Sequence, residues 1–304
     1  MIRFDMFRIG NIGSREGTIN GLCGIVPSCL VLWTSLCFLS TKSLVDGKLN
    51  EMLQRIAFRA SPTKVAQEGL AELVKRYGQC EYDEAEVIVA LGGDGFMLQT
   101  LHTTSEFKAP VYGMNRGTVG FLMNLYHEDG LVDRLKDAEE TQIHPLSMTV
   151  TCNDGKILSA LAINEVSLLR AGPQAAKLRI SVDGLVRMDE LVCDGALLAT
   201  PAGSTAYNYS AHGPILPIGA DVFALTALNA FRPRRWRGAL LPQKAHVRFE
   251  VLNPENRMVR ADADSSSFED VRCVDIISER SITHSLLFDP GHGLEERLIR
   301  EQFV

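Results

Sequence analysis

The sequence predicts an α/β plus all-β protein: an N-terminal Rossmann-like α/β domain with a Gly-Gly-Asp-Gly loop, then a C-terminal β-sandwich-like domain. Three observations carry this. A buried-looking strand, Glu86–Leu91, runs directly into Gly92-Gly93-Asp94-Gly95 and then a helical stretch, the strand–glycine turn–helix order of phosphate-binding folds. From about residue 143 the apolar period shifts towards alternation, with Asp154-Gly155 and Asp183-Gly184 marking tight turns between β-rich runs. The end of the chain returns to strand and helix, so residues 283–304 are expected to rejoin the first domain. The expected partition is an apolar extension over 1–51, the α/β domain over 52–142 and the β-rich domain over 143–282.

Bulk properties agree. A chain of 304 residues suits two domains, and 46% hydrophobic with 22% charged residues describes an ordinary globular protein. A net charge of -6 argues against a dedicated nucleic-acid binder, because phosphate backbones are held by clustered Lys and Arg. The seven cysteines show neither a C-x-x-C pair nor metal spacing, so they read as reduced, structural thiols.

The first fifty residues differ from the rest. No charged residue lies between Glu16 and Lys42, behind Arg3, Arg8 and Arg15, which resembles a signal sequence or membrane anchor. Pro27 and three early glycines interrupt it, and no small-x-small cleavage site follows. Three readings stay open: a true start near Met52, an appendage to the fold, or a membrane segment.

Arg55–Ala60 reads as a strand, and Ser61-Pro62 as an N-cap with proline at the first helical position. Ala66, Leu70, Leu73, Val74 and Tyr77 then recur at helical spacing up to a stop at Gly78. After the glycine turn, Phe96–Thr103 is helical, Ala109–Gly113 a strand and Glu128–Ala138 an amphipathic helix. The β-rich half includes Leu146–Thr151, Lys156–Ile163, Lys177–Val182, Ala245–Leu252 and Val271–Ile277; Ser285–Phe288 and a helix from about Gly293 to Gln302 close the chain.

Four segments carry chemistry. Gly92, Gly93 and Gly95 can present backbone N–H groups to a polyphosphate without Cβ obstruction. An unpaired Asp94 beside phosphates would repel them, so its presence suggests a proton-accepting or magnesium-related role; the bland reading is an Asp-capped glycine turn. The turn is neither G-x-G-x-x-G nor a Walker loop. The stretch from Tyr112 to Leu122 is a second glycine-spaced loop at a strand end, with Asn115 as a polar contact and Phe121 as a packing anchor, or else an ordinary α/β loop. Asn164-Glu165 sits in an apolar strand, Leu161–Leu169, where a buried polar pair needs a partner and an edge pair would be wet. Asp194-Gly195, Thr200–Ser210 and Gly213-Pro214 form the longest signal: Ser204 and Thr205 read as helix caps whose N–H groups face an anion, with Tyr207 able to stack.

Taken together, GGDGFML, GMNRGTVGFL, INEVSLL and DGALLATPAGSTAYNYSAHGPILP resemble, in order, the motif series of the NAD kinases, over about Arg55–Val304. The Gly-Gly-Asp-Gly element alone is shared with phosphofructokinases and diacylglycerol kinases; the Asn-Glu pair with TPxGSTAY is the narrower signal. The resemblance implies transfer of the γ-phosphoryl of ATP to the 2′-hydroxyl of NAD's adenosine ribose, with a β-rich NAD-binding domain. It implies Asp94 as general base, with Gly95, Asn164, Glu165, Asp194, Ala202 and the run Thr205, Ala206, Tyr207, Asn208, Tyr209 and Ser210 as NAD contacts. Gly92, Gly93, Gly95 and Asn115 would meet phosphates, with Mg²⁺ or another divalent cation accompanying ATP. A cytoplasmic homodimer or homotetramer is expected, binding neither nucleic acid nor, stably, membrane. Ala202 stands where Thr is common and His212 where Gly is common.

Rival readings are a lipid or sugar kinase sharing the glycine turn, and a non-catalytic NAD sensor. Arg232–Arg237 is basic around Trp236, which fits a loop near anionic ligands better than a nucleic-acid patch. His102, His212, His284 and His292 share no metal spacing.

Overall fold

A five-stranded sheet lies beside two six-stranded sheets that face each other. The computed structural model of the chain describes residues 55–117 and 120–301, all within the compact unit Leu53–Val304. The apolar extension over 1–51 and its three readings lie outside the described residues, as do Thr118, Val119 and the last three positions.

The five-stranded sheet contains β1 (Ile56–Ala60), β2 (Val87–Gly92), β3 (Val111–Asn115), β4 (Glu139–Ile143) and β17 (His284–Phe288), in the order β1-β2-β3-β17-β4. All neighbours are parallel except β4, which runs antiparallel to β17. The period of two decides the layers. Ile56, Phe58, Val87, Val89 and Leu91 pack on the face covered by α1 (Lys64–Tyr77) and α3 (Leu131–Asp137). Ala57, Ile88 and Ala90 pack on the other, under α2 (Asp94–Thr103).

Two details differ from expectation. Helix α1 begins at Lys64 behind Thr63, without a side-chain cap, because Ser61 Oγ bonds to Thr63 Oγ1 instead. Helix α3 begins at Leu131, three residues late, because Gly130 at φ 68 is left-handed and cannot continue a helix backwards.

The antiparallel sheets hold the remaining strands. One, in the order β12-β11-β10-β7-β14-β15, uses β7 (Glu165–Arg170), β10 (Gly195–Ala199), β11 (Val222–Leu228), β12 (Gly238–Pro242), β14 (Val259–Ala263) and β15 (Ser266–Phe268). The other, β6-β5-β16-β13-β8-β9, uses β5 (Leu146–Cys152), β6 (Ile157–Ala162), β8 (Ala176–Val182), β9 (Leu185–Cys193), β13 (Val247–Val251) and β16 (Val271–Ser278). Leu146, Val150, Leu178 and Phe249 from the second meet Val166, Leu168, Leu198 and Ala261 from the first in one core, the packing of a sandwich. Both Asp-Gly turns form as expected, with Gly155 at φ 85 and Gly184 at φ 75. Cys152, Cys193 and Cys273 are buried free thiols and Cys80 is half-buried. After β17 the chain forms α5 (Leu294–Glu301).

Candidate active site

Strand β2 is buried throughout and ends at Gly92; Gly93 then caps α2 in an extended conformation, making Asp94 the first helical residue. A carboxylate there is favoured by the positive end of the helix dipole. The sequence reading left it unpaired, and the structure corrects this. Asp94 Oδ2 accepts the N–H of Phe121 at 2.6 Å and Oδ1 accepts that of Leu122 at 2.8 Å, so the two glycine loops face each other through this side chain. Each oxygen keeps further acceptor capacity.

The carboxylate borders a cavity of about 730 Å³, also lined by Asn115, Phe121, Arg134, Thr205 and Arg297. Asn115 shapes its loop by accepting the Gly117 N–H at 2.9 Å. Among the described residues, a Cβ on Gly93 or Gly95 would meet nothing within 4 Å, so their packing does not demand glycine at either place.

Strand Leu161–Leu169 is in fact two strands, β6 ending at Ala162 and β7 beginning at Glu165. The break is imposed from a hundred residues away. The buried carboxylate of Asp264, a residue at φ 48, accepts the N–H of Ile163 at 2.7 Å and of Asn164 at 2.9 Å, which takes both amides out of any ladder. From α2, His102 Nε2 bonds the same carboxylate at 2.8 Å, joining the helix that starts with Asp94 to the Asn-Glu segment.

Strand β7 is not an edge strand: it lies between β10 and β14. The Glu165 side chain faces the Tyr207 turn, and its Oε2 is buried without a partner among the described residues. Burial first, and the nearby Asp264 charge second, push this carboxyl up to about 8. A buried acceptor in that state matches the need for an outside partner read from the sequence.

The Thr200–Ser210 run forms a 3₁₀ turn, Ala202–Thr205, and a single helical turn, α4 (Tyr207–Ser210). Ser204 and Thr205 do not cap a helix, contrary to expectation. Ser204 Oγ donates to Pro201 O at 2.7 Å and accepts the Leu216 N–H at 3.0 Å, holding the turn to the chain beyond it. Asn208 is buried and fully committed: Nδ2 donates to Ser204 O and Pro214 O, and Oδ1 accepts from Thr226 Oγ1. Its side chain is an internal strut that ties the turn to Pro214 and Thr226. Ala202 is likewise buried, packed in the core with Ile163.

The expected residues therefore divide. Asp94, Asn115 and Thr205 share the first cavity. Asp194, Tyr207 and Ser210 line a second, of about 750 Å³, with Arg170, Arg235, Trp236 and Arg260, and Arg232–Arg237 is thus a loop beside it. Asp194 is held below the usual carboxylate range by Asn229 at 2.9 Å and Arg170 at 2.6 Å, against a smaller effect of burial. Ala206 is half-buried and Tyr209 exposed. His212 sits at φ 60, a conformation glycine adopts freely. Among the described residues no group of three His, Cys, Asp or Glu is placed to hold a metal, and no helix is long and apolar enough to cross a membrane.

Sequence reasoning missed Asp264, His102, Arg134, Asp289 and Arg297. Asp289 follows β17 at its C-terminal end, where ligands of open α/β sheets bind, and that position was a usable signal. Arg134 donates to it at 2.6 Å and Tyr112 Oη at 2.6 Å. The other contacts join segments far apart in the chain and leave no local trace.

The ATP-NAD kinase N-terminal domain model matches residues 26–137 and the ATP-NAD kinase C-terminal domain model residues 163–278. The NAD kinase of Cereibacter sphaeroides (strain ATCC 17025) is 70% identical over 251 residues, covering 83% of this chain and 99% of the relative. That of Caulobacter vibrioides is 58% identical over 249 residues, covering 82% and 96%. In fold, the chain is similar to yeast NADH kinase complexed with NADH, at TM-score 0.71 and 21% identity over 84% of this chain and 88% of that one. It is also similar to an Archaeoglobus fulgidus NAD kinase in complex with ATP, at TM-score 0.63 and 24% identity over 82% and 97%. With both halves matched and relatives this similar along nearly their whole length, the chain belongs to the ATP-NAD kinase family.

Proposed function

We propose that this chain transfers the γ-phosphoryl of ATP to the 2′-hydroxyl of NAD's adenosine ribose, giving NADP, with Asp94 as general base. The observation that carries this reading is the Asp94 carboxylate, aimed by two backbone amides beside a cavity of about 730 Å³ at the end of a glycine turn.

A carboxylate is a far weaker base than an alkoxide, so the proton moves late, as the phosphorus–oxygen bond forms. Phosphoryl transfer has a loose transition state in most analyses, so positioning and charge neutralisation dominate. Gly93 and Gly95 leave open the space a Cβ would fill, which suits approach of phosphate oxygens to the turn. A Mg²⁺ carried by the phosphates would supply charge neutralisation, and such an ion needs only one or two protein carboxylates, consistent with a single Asp94 at the turn.

Glu165, half-buried with an Oε2 that lacks a partner among the described residues, would receive a hydroxyl or amine of NAD, with Asn164 beside it and Thr205 lining the cavity. Asp194, Tyr207 and Ser210 face a different cavity, which supports a contribution to NAD across a subunit interface in a homodimer or homotetramer. A cytoplasmic location completes the reading. The test is NADP formation from NAD and Mg-ATP by the purified chain: saturable turnover in both substrates is expected, whereas NAD binding without turnover would make it a sensor.

A further inference from the structure

We propose that Arg297, on the C-terminal helix α5, is a positioning residue for the Asp94 carboxylate, acting through a single peptide group. The inference rests on the reading of Asp94 as the base.

Arg297 Nη1 donates to Phe121 O at 2.9 Å and to Met123 O at 2.5 Å, while Nη2 donates to Asn124 Oδ1 at 3.2 Å. Its Nε holds His292 O at 2.7 Å, and the guanidinium lies 5.0 Å from the Phe288 ring centroid. Phe121 O and Leu122 N belong to the same peptide unit, which is planar and stiff. The carbonyl of that unit takes the Arg297 guanidinium and its N–H meets Asp94 Oδ1 at 2.8 Å. Tilting the carbonyl therefore tilts the N–H that aims the carboxylate.

The flanking bonds reinforce this. Phe121 N holds Asp94 Oδ2 at 2.6 Å, and Asn124, which shares Arg297, is tied to β17 through Nδ2 to Leu287 O at 2.9 Å. A cation on the carbonyl also polarises the unit, making its N–H a better donor to the carboxylate. Only a planar fork reaches the two carbonyls, the Asn124 amide oxygen and His292 O together; a lysine ammonium offers one nitrogen.

The experiment compares Arg297→Ala, Arg297→Lys and Asp94→Asn in the full chain, measuring kcat at saturating NAD and Mg-ATP, the melting temperature, and rescue by guanidinium ion. Displacing a reacting group by about 1 Å costs on the order of 10²-fold, so Arg297→Ala should lose about 10- to 100-fold in kcat, with Arg297→Lys in between. Millimolar guanidinium should restore Arg297→Ala saturably and leave the wild type and Asp94→Asn unmoved. Wild-type kcat per folded molecule in Arg297→Ala, or loss without rescue, overturns the proposal. If Arg297→Ala does not fold, wild-type kcat in Arg297→Lys overturns it. A collapse of Asp94→Asn with Arg297→Ala intact sinks only the positioning role; an active Asp94→Asn sinks the base, and this inference with it.

Discussion

Gly203 lies so close to Asn164 that a Cβ at position 203 would stand 2.2 Å from the Asn164 carbonyl oxygen. The same carbonyl accepts the Thr200 N–H at 2.9 Å, so the two segments richest in NAD-kinase signal are held backbone to backbone. Because the obstacle is main chain, no side-chain rotation relieves it. Gly203→Ala should cost at least the roughly 1–3 kcal/mol typical of overpacking, and raise the KM for NAD more than that for ATP. Denaturant melts with initial rates check this, and a variant with unchanged stability and unchanged KM for NAD contradicts it.

Gly93→Ala should behave in the opposite way. Among the described residues a Cβ there meets nothing within 4 Å, and φ -115 is open to any residue, so stability should stay within about 0.5 kcal/mol of wild type. What the methyl group occupies is the space proposed for phosphates. A fall in kcat/KM for ATP of about tenfold or more, at unchanged melting temperature, is expected. Full activity would mean that ATP does not approach this turn.

The difference between these glycines marks what the sequence could disclose. Val87–Gly92 and the turn after it are local: a buried strand, three glycines and a helix follow one another, and the order of elements alone suggests a phosphate site. Asn164-Glu165 was legible as a polar interruption but not as a break between strands, since the acceptor that causes it, Asp264, lies far along the chain. Asp264 itself reads as one more turn residue between β14 and β15. Ser204 looked like a cap because its neighbours suit a helix start; its real partner, Leu216, is twelve residues away. Arg297 is one of several charges on the closing helix, and nothing nearby in sequence distinguishes it. In each case the missing information is a tertiary hydrogen bond, which leaves no periodicity behind.

Glu165 makes a prediction about pH. Its carboxyl is raised from the ordinary 4.5 to about 8, so between these values the folded chain holds a proton that the unfolded chain has released. The group thus contributes stability at low pH that is lost as pH rises towards and through 8. Glu165→Gln keeps the size and an acceptor oxygen and does not titrate. Its stability, relative to wild type, should climb from pH 5 to pH 8.5, by an amount on the order of a few kcal/mol at most. Its KM for NAD should rise at every pH. A melting difference that stays constant from pH 5 to pH 9 would show that Glu165 ionises in place.

Asp94→Asn is the most informative variant, although it changes two things at once. Asparagine offers one acceptor oxygen where aspartate offers two, so either Phe121 or Leu122 must face an amide N–H instead of an oxygen. The lost bond should cost about 1–3 kcal/mol, visible as a lower melting temperature. Loss of the base should lower kcat by a further factor of about 10² to 10⁴, while calorimetric NAD affinity changes little. The Arg297 variants separate the two effects. Arg297→Ala disturbs the same loop but leaves a carboxylate in place, so Asp94→Asn should be the slower enzyme if Asp94 accepts the proton. Should Asp94→Asn turn over NAD within about threefold of wild type, well below a general base's typical contribution, Asp94 serves the loop alone. The rate would then have to come from positioning of NAD and ATP by the glycine turn and Glu165.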